Sequence, residues 1–558
     1  MTYINYKPDP EDKLEPRFIT HLSKKEVGED IHIVKELVHK PNGEILDNIR
    51  IIKDYKRPFW VTKEIYRNHT EKKESEDIKK VDMFLSTESD LGKNIAPRLG
   101  DNYIGITDLY RLKDSPYLYG IDVDSRTFLK YQYFKKYGAF STPYRVGTFD
   151  IEVNVLTNEI IIATFATPKE IHTYILKSFL GSIQNPEKRI KDLYDKHIPE
   201  HSLGNPELII KVFDDEVTLL KEIFKAANYA NIDFLAIWNM DYDIPTIVEK
   251  LEEKNVNPAD IFHFDKIPEK YKYFKYKQGK KQKVTESGKT IPINPEEQWH
   301  TVKTTSNFYI IDAMSAHRYV RVGGKNVPGG YSLDNILKHE KVAKKLKFDS
   351  DIGLEGVEWH IYMVNNKPLE YVVYNIWDAM SMLELDKKTK DLELAVPILS
   401  DISHFDVFNS GPRKLVDGFM FFYLEYGRVL GVRPGNLDPD KLLGLDEWIV
   451  TMPGYRIMEN GLRVTDEDFK IKTNIRLGVY DADAVSSYPS CTKAANVSKD
   501  TTHREILSIE GIDKSTFKKQ NINLLYGPTN AVEWCTTMLN FPDLYKLEKL
   551  IKEEDYEN

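Results

Sequence analysis

Five side chains along this chain have the type and spacing to hold divalent cations against a phosphate ester. They are Asp150 and Glu152 in Phe149-Asp150-Ile151-Glu152, Asp243 closing Trp238-Asn239-Met240-Asp241-Tyr242-Asp243, and Tyr374 with Asp378 in Tyr374-Asn375-Ile376-Trp377-Asp378. Carboxylates are hard oxygen donors suited to Mg2+ or Mn2+. Two such ions about 3.5–4 Å apart neutralise charge on a phosphodiester and produce a nucleophile near neutral pH. Taken singly, each acid has an ordinary explanation: a surface acidic pair on a strand, or a satisfied structural carboxylate. Their order makes metal-dependent hydrolysis the chemistry to test. A further cluster, Asp483-Ala484-Val485-Ser486-Ser487-Tyr488-Pro489-Ser490, sets one more carboxylate beside hydroxyls.

The elements that must position these residues follow from periodicity. Asp150 and Glu152 are two apart in the apolar run Val146 to Val153, so on a strand they share a face. Asp243 follows the apolar run Phe234 to Trp238, at the carboxyl end of a strand, where α/β sheets place ligands. Asp378 sits in a helical pattern with Tyr374 four residues earlier on the same face. Strand-like runs at 146–153 and 159–165, an amphipathic helix at 216–227 and the run at 234–238 predict an α/β core with a mixed sheet.

Around that core the expected organisation is multidomain, α/β and α+β. Residues 1–140 alternate short β-like runs (Ile31 to Val34, Phe59 to Thr62) with charged turns and read as a small α+β domain. Residues 141–392 carry the carboxylates, with Gly323-Gly324 and Gly329-Gly330 marking a loop. Residues 393–470 connect, with a helix-like run at Gly418 to Tyr426 and the option of returning to the N-terminal domain. Residues 471–558 hold the strand-like run Ile475 to Val479 and a terminal helix with Leu544, Leu547, Leu550 and Ile551 on one face.

Composition narrows the class. With 558 residues, two to four domains are expected, and 41% apolar with 12% aromatic residues excludes a disordered chain. Cys491 and Cys535 are far apart and support neither a disulfide framework nor a zinc cluster, which fits a reducing cytoplasm. There is no apolar signal core and no run of 18 apolar residues, so no membrane partner is expected. The net charge of −9 excludes a protein that coats duplex DNA all over, and directs attention to local basic patches. The clearest is Lys266 to Lys289, where nine lysines meet only Glu269 and Glu286 and interleave with Tyr271, Tyr273, Phe274 and Tyr276. Lys272, Tyr273, Lys275 and Lys277 are its candidate nucleic-acid contacts, by phosphate attraction and base stacking. A solvated lysine loop is the competing explanation.

The segments around the carboxylates closely resemble the exonuclease motifs of family B DNA polymerases of the bacteriophage type: Phe-Asp-Ile-Glu, Asn-x-x-Tyr/Phe-Asp and Tyr-x-x-x-Asp. The likeness extends to Ile244-Pro245 and to Tyr331-Ser332-Leu333-Asp334, and it covers roughly residues 144 to 500. It implies an RNase H-like 3′–5′ proofreading exonuclease domain with two Mg2+ (or Mn2+) ions. Asp150, Glu152 and Asp378 would serve the tighter ion, Asp150 and Asp243 the second. Tyr374 would orient the attacking water, and Asn239 would contact DNA.

Asp483 to Ser490 resembles the family's first polymerase motif, Asp-x-x-Ser-Leu-Tyr-Pro-Ser, with Ser487 in place of Leu. This implies Asp483 as a catalytic metal ligand, Ser486, Ser487 and Tyr488 as nucleotide-binding residues, and Tyr488 as a sugar gate. No Asp-Thr-Asp follows Ser490. An echo of the fingers motif at Lys519 to Gly527 lies only 36 residues past Asp483, with Leu524 where Ser belongs. The expectation is therefore the N-terminal portion of a split or truncated polymerase, with a partial palm. A second polypeptide would supply the remaining palm, fingers and thumb. Single-stranded 3′ ends and primer-template DNA would be the substrates, a sliding clamp a further partner, and the cytoplasm (a host's, if the chain is viral) the compartment. The alternatives are a stand-alone exonuclease of polymerase descent and a non-catalytic nucleic-acid-binding module.

Overall fold

A computed structural model describes residues 2–433, apart from positions 141, 199, 285–289, 322–326, 343–345, 347, 349–353, 355 and 393–410. The described residues belong to one compact unit of mixed α/β architecture with several sheets. None of its helices is long and apolar enough to cross a membrane.

The chain begins with a four-stranded sheet built from β1 (Thr2–Ile4), β2 (Lys13–Leu22), β3 (Ile31–His39) and β4 (Ile45–Lys53), in the order β1-β4-β3-β2. β1 pairs with β4 in parallel and the other neighbours are antiparallel. Both faces are covered, which explains why β3 reads as a near-continuous buried run and not as an alternation. Ile19, Val34 and Val38 pack with Leu129 and Tyr133 of the helix Ser125–Tyr137, while Leu22, Ile31, Ile33 and Ile49 pack with Phe264, Ile267 and Tyr271. A second, smaller group follows: β5 (Arg57–Thr62), β6 (Ser75–Asp77), β7 (Val81–Ser86) and β8 (Leu118–Tyr119), with β5 central between β7 and β8.

The third sheet carries the carboxylates. It contains β9 (Val146–Asn154), β10 (Glu159–Ala166), β11 (Glu170–Leu176), β12 (Glu207–Phe213), β13 (Phe234–Ile237), β14 (Phe274–Lys277), β17 (Thr301–Thr304) and β18 (Tyr309–Asp312). β15 (Gln282–Val284) and β16 (Thr290–Pro292) form a separate hairpin between β14 and β17. The eight-stranded order is β12-β11-β10-β9-β13-β18-β17-β14. β9, β13 and β18 run parallel, β10 is antiparallel to both β9 and β11, and β17 is antiparallel to both β14 and β18. This is the mixed sheet that the strand, strand, helix, strand pattern predicts.

Helices cover both faces of the sheet. Phe149 packs on Phe224 of the helix Glu216–Tyr229, their rings 5.0 Å apart. On the other face lies Pro368–Thr389, which packs along β9 and β10 and is apolar around most of its circumference, the mark of a core helix. Pro at its first turn costs no hydrogen bond, and Lys390 in the left-handed region ends it.

An ionic cluster joins the first sheet to the third. Asp233, fully buried just before β13, receives Arg17 of β2 at 3.1 Å and Arg145 at 2.9 Å, with Lys35 of β3 at 3.7 Å. Arg145 also grips Asp47 of β4 through both terminal nitrogens. Burial alone would raise the Asp233 carboxyl; the charge of Lys35, the hydrogen bond from Arg145 and the charge of Arg17 reverse this and hold it well below the usual carboxylate range.

Residues 411–433 add the helix Gly411–Glu425 and β19 (Arg428–Leu430). β19 pairs with β6, and Met420 and Phe421 are buried beside Trp60 and Phe128. The described part of the region expected as a connector therefore packs on residues between Trp60 and Phe128.

Candidate metal centre

Thr148, Asp150 and Glu152 alternate along β9 and so share one face. The Thr148 hydroxyl donates to the carbonyl of Ala379 at 2.7 Å, which turns that face towards the Pro368–Thr389 helix one residue past Asp378. The other face, Phe149, Ile151 and Val153, is core. Sequence alternation thus aims two carboxylates at a third carried by a helix. Ligand oxygens of Asp150, Glu152 and Asp378 all lie within 4.8 Å of one another. Glu152 and Asp378 are only 8% and 9% exposed, and Asp150 is partly exposed. A bulge in β10, where Ile160 and Ile162 pair on either side of an extra residue, falls opposite Glu152 and Val153. Bulges of this kind bend a strand and re-aim its side chains.

Hydrogen bonds fix the carboxylates from behind. The Asn375 amide donates to Asp150 Oδ2 at 2.7 Å. The fully buried Tyr371 hydroxyl donates to Glu152 Oε2 at 2.5 Å, and His360 Nδ1 lies 2.6 Å from that hydroxyl and 3.7 Å from Glu152 Oε2. Burial, the Glu152 charge and the hydrogen bond to it push the Tyr371 phenol far up, so it stays a donor. Tyr374 is buried on the same helix, its ring 4.8 Å from Trp359 and stacked at 6.0 Å on Tyr371.

Asp243 comes from a different element. β13 ends at Ile237, and the helix Met240–Glu253 begins with Asp241 and Asp243 in its first turn, where the N-terminal end favours negative charge. The Trp238 indole donates to the Tyr331 carbonyl at 2.9 Å, which brings the Tyr331 to Asp334 segment beside this turn. Asp243 is buried; burial and then the charge of Glu152 raise its carboxyl well above the usual range. It lies close enough to sense Glu152, and it is not one of the three oxygens grouped within 4.8 Å. Asn239 stands at the N-cap position of the same helix, its side chain exposed and making no capping hydrogen bond.

The lysine segment folds differently from a free loop. β14 is the edge strand of the large sheet, with Lys275 and Lys277 outward and Phe274 stacked inward on Phe262 at 4.6 Å. Asp241 anchors its end by accepting from Tyr276 at 3.1 Å and from Gln278 at 2.5 Å. The interleaved tyrosines are engaged by acidic side chains. Tyr271, in the turn before β14, is buried and bonded to Glu29, while Tyr273 and Tyr276 are half-buried, held by Glu26 and Asp241. Lys272 pairs with Asp260 at 2.9 Å and with Glu269. Lys275 and Lys277 are exposed and carry no ion pair among the described residues.

The three-acid grouping therefore has the composition of a site for a hard divalent cation, and Asn375 supports that fit. Its amide is committed to Asp150, while its buried Oδ1 has no hydrogen-bond partner among the described residues, as expected of a polar pocket completed by something else. Sequence reasoning missed Tyr371 and His360. Tyr371 is seven residues before Asp378, on the same helix face, so its spacing was a usable signal; His360 belongs to the preceding helix, Gly356–Asn366, and left none. Asp483, Ser486, Ser487 and Tyr488, the partial palm and the Lys519 to Gly527 segment lie outside the described residues. Comparison with protein-family models and with curated proteins found no match to this chain.

Proposed function

We propose that this chain is a metal-dependent 3′–5′ exodeoxyribonuclease, the proofreading part of a family B DNA polymerase that also carries the first polymerase motif. The observation that carries the reading is the convergence of Asp150, Glu152 and Asp378 from a strand and a helix more than 200 residues apart in sequence, within 4.8 Å of one another. The mixed sheet, with helices on both faces and the acids on a central strand, supports an RNase H-like domain.

Asp150, Glu152 and Asp378 would hold the tighter Mg2+ or Mn2+, and Asp150 with Asp243 the second. Bound divalent ions supply Lewis acidity at the scissile phosphate and lower the pKa of water. The chain itself supplies the rest. Tyr371 and Asn375 fix the carboxylate oxygens of Glu152 and Asp150, so that little reorganisation is left for the reaction. Tyr374 orients water, and Asn239, Lys275 and Lys277 attract the strand that delivers its 3′ end. Asp483, Ser486, Ser487 and Tyr488 would form part of a nucleotidyl-transfer site completed by a second polypeptide.

The test is a denaturing gel of a 5′-labelled primer on a template, with Mg2+ and all four dNTPs. Stepwise shortening from the 3′ end, stopped by chelator and by Asp150→Ala, is the expected result. Lengthening would show that this chain polymerises without a partner, and an unchanged primer would remove the exonuclease reading.

A further inference from the structure

His21 on β2 and His32 on β3 are register partners across the antiparallel pair, and Asp30 immediately precedes β3. Directly opposed residues share a sheet face, and the two imidazole rings are 4.6 Å apart. Asp30 Oδ1 lies 3.2 Å from His21 Nε2 and 4.0 Å from His32 Nδ1. One ligand atom from each of the three residues falls within a mutual 4.8 Å.

Outer contacts leave these atoms facing one another. His32 Nε2 is 2.8 Å from the Ser125 hydroxyl, and Asp30 Oδ2 accepts the Ser89 backbone N–H at 2.8 Å. His32 is fully buried, yet its Nδ1 has no hydrogen-bond partner among the described residues. A His21–Asp30 ion pair would account for those two side chains and would leave that nitrogen without a role. Arg126 and Asp124 are the other charged groups near His32. Arg126 is itself paired with Asp124 at 2.7 Å, and Tyr55 packs edge-on to His32 at 5.4 Å.

We propose that His21, Asp30 and His32 bind one divalent transition-metal ion of the zinc class, at a site independent of the carboxylate centre. Two imidazoles and one carboxylate select such an ion over magnesium, which prefers oxygen ligands alone. The Ser125 and Ser89 contacts are the outer hydrogen bonds that orient metal ligands, with His32 bonded through Nε2 and Nδ1 left to coordinate. His21 is partly exposed and lines a cavity of about 210 Å3 with Arg126, Lys275, Lys277 and Lys303. That cavity opens the His21 side of the site. The ion ties β2 to β3 where residues 89 and 125 meet them.

The experiment uses the metal-free full chain carrying Asp378→Ala, so that the carboxylate centre is disabled, and titrates Co2+ while reading visible absorption. The expected result is uptake of one equivalent with the intense bands of a four-coordinate nitrogen and oxygen site, displaced by Zn2+, and a raised melting temperature. Adding His21→Gln, a partly exposed position that need not disturb folding, or Asp30→Asn is expected to weaken binding at least tenfold and abolish the bands. Absence of one-equivalent uptake, or unchanged bands in either added variant, would overturn the assignment.

Discussion

Tyr371 reaches from the core helix to Glu152 and couples that carboxylate to its scaffold. Its hydroxyl is the only part removed in Tyr371→Phe. A hydrogen bond to a charged group contributes about 1.5–3 kcal/mol, so single-turnover hydrolysis is expected to fall at least about tenfold and the unfolding free energy to drop by a similar amount. An unchanged rate would reduce Tyr371 to packing. Much at this scale was legible: the period of 2 joined Asp150 to Glu152, and the period of 3.6 joined Tyr374 to Asp378. Tyr371 was overlooked despite its usable spacing from Asp378, because an aromatic on that face reads as core, which it also is. Tyr273, which among lysines reads as a stacking platform, is half-buried and held by Glu26, a contact its sequence neighbours do not signal.

At the scale of elements, the approach of β9 to its neighbours is tested by Gly147. A Cβ there would sit 2.7 Å from the Phe165 ring and 2.9 Å from Ile232, so Gly147→Ala is expected to destabilise by about 1–3 kcal/mol in urea unfolding. An unchanged midpoint would mean that the sheet is looser than described. The Asp233 cluster tests the joint between the first and third sheets. Removing one partner from a buried ionic cluster costs about 3–5 kcal/mol, the destabilisation expected for Asp233→Asn at neutral pH. Because the folded-state pKa is depressed, that contribution is complete above the unfolded value near 4 and is lost as pH falls below it. The gap between wild type and variant should therefore stay constant from about pH 7 to 5 and narrow below about pH 4; narrowing already between pH 7 and 5 would contradict the assignment. β9, β10, β13 and the helix 216–229 were readable from apolar periodicity. β14 was not, because its alternation lay inside a run of lysines, and the helix from Met240 was obscured by Pro245, which sequence rules set at a helix start and the chain tolerates in the second turn.

For the whole molecule, the issue is how a chain of net charge −9 would hold a polyanion. Local cations on the exposed edge strand β14 are the proposed answer, and sequence alone could not separate them from lysines spent in ion pairs such as Lys272. Lys275→Ala with Lys277→Ala is expected to weaken single-strand binding and to lower the salt slope by about 1.4, roughly 0.7 for each phosphate that is no longer neutralised. An unchanged slope would assign these lysines to guarding a sheet edge against aggregation. The most direct test of the carboxylate centre is the single-turnover rate of 3′-nucleotide release from a single-stranded oligonucleotide in Mg2+, measured for wild type and Asp378→Ala together with their metal-free melting temperatures. Self-repelling carboxylates predict a rate lower by orders of magnitude with a melting temperature equal or slightly raised. Release at the wild-type rate, or a clearly lowered melting temperature, would make Asp378 a structural acid and contradict the metal centre.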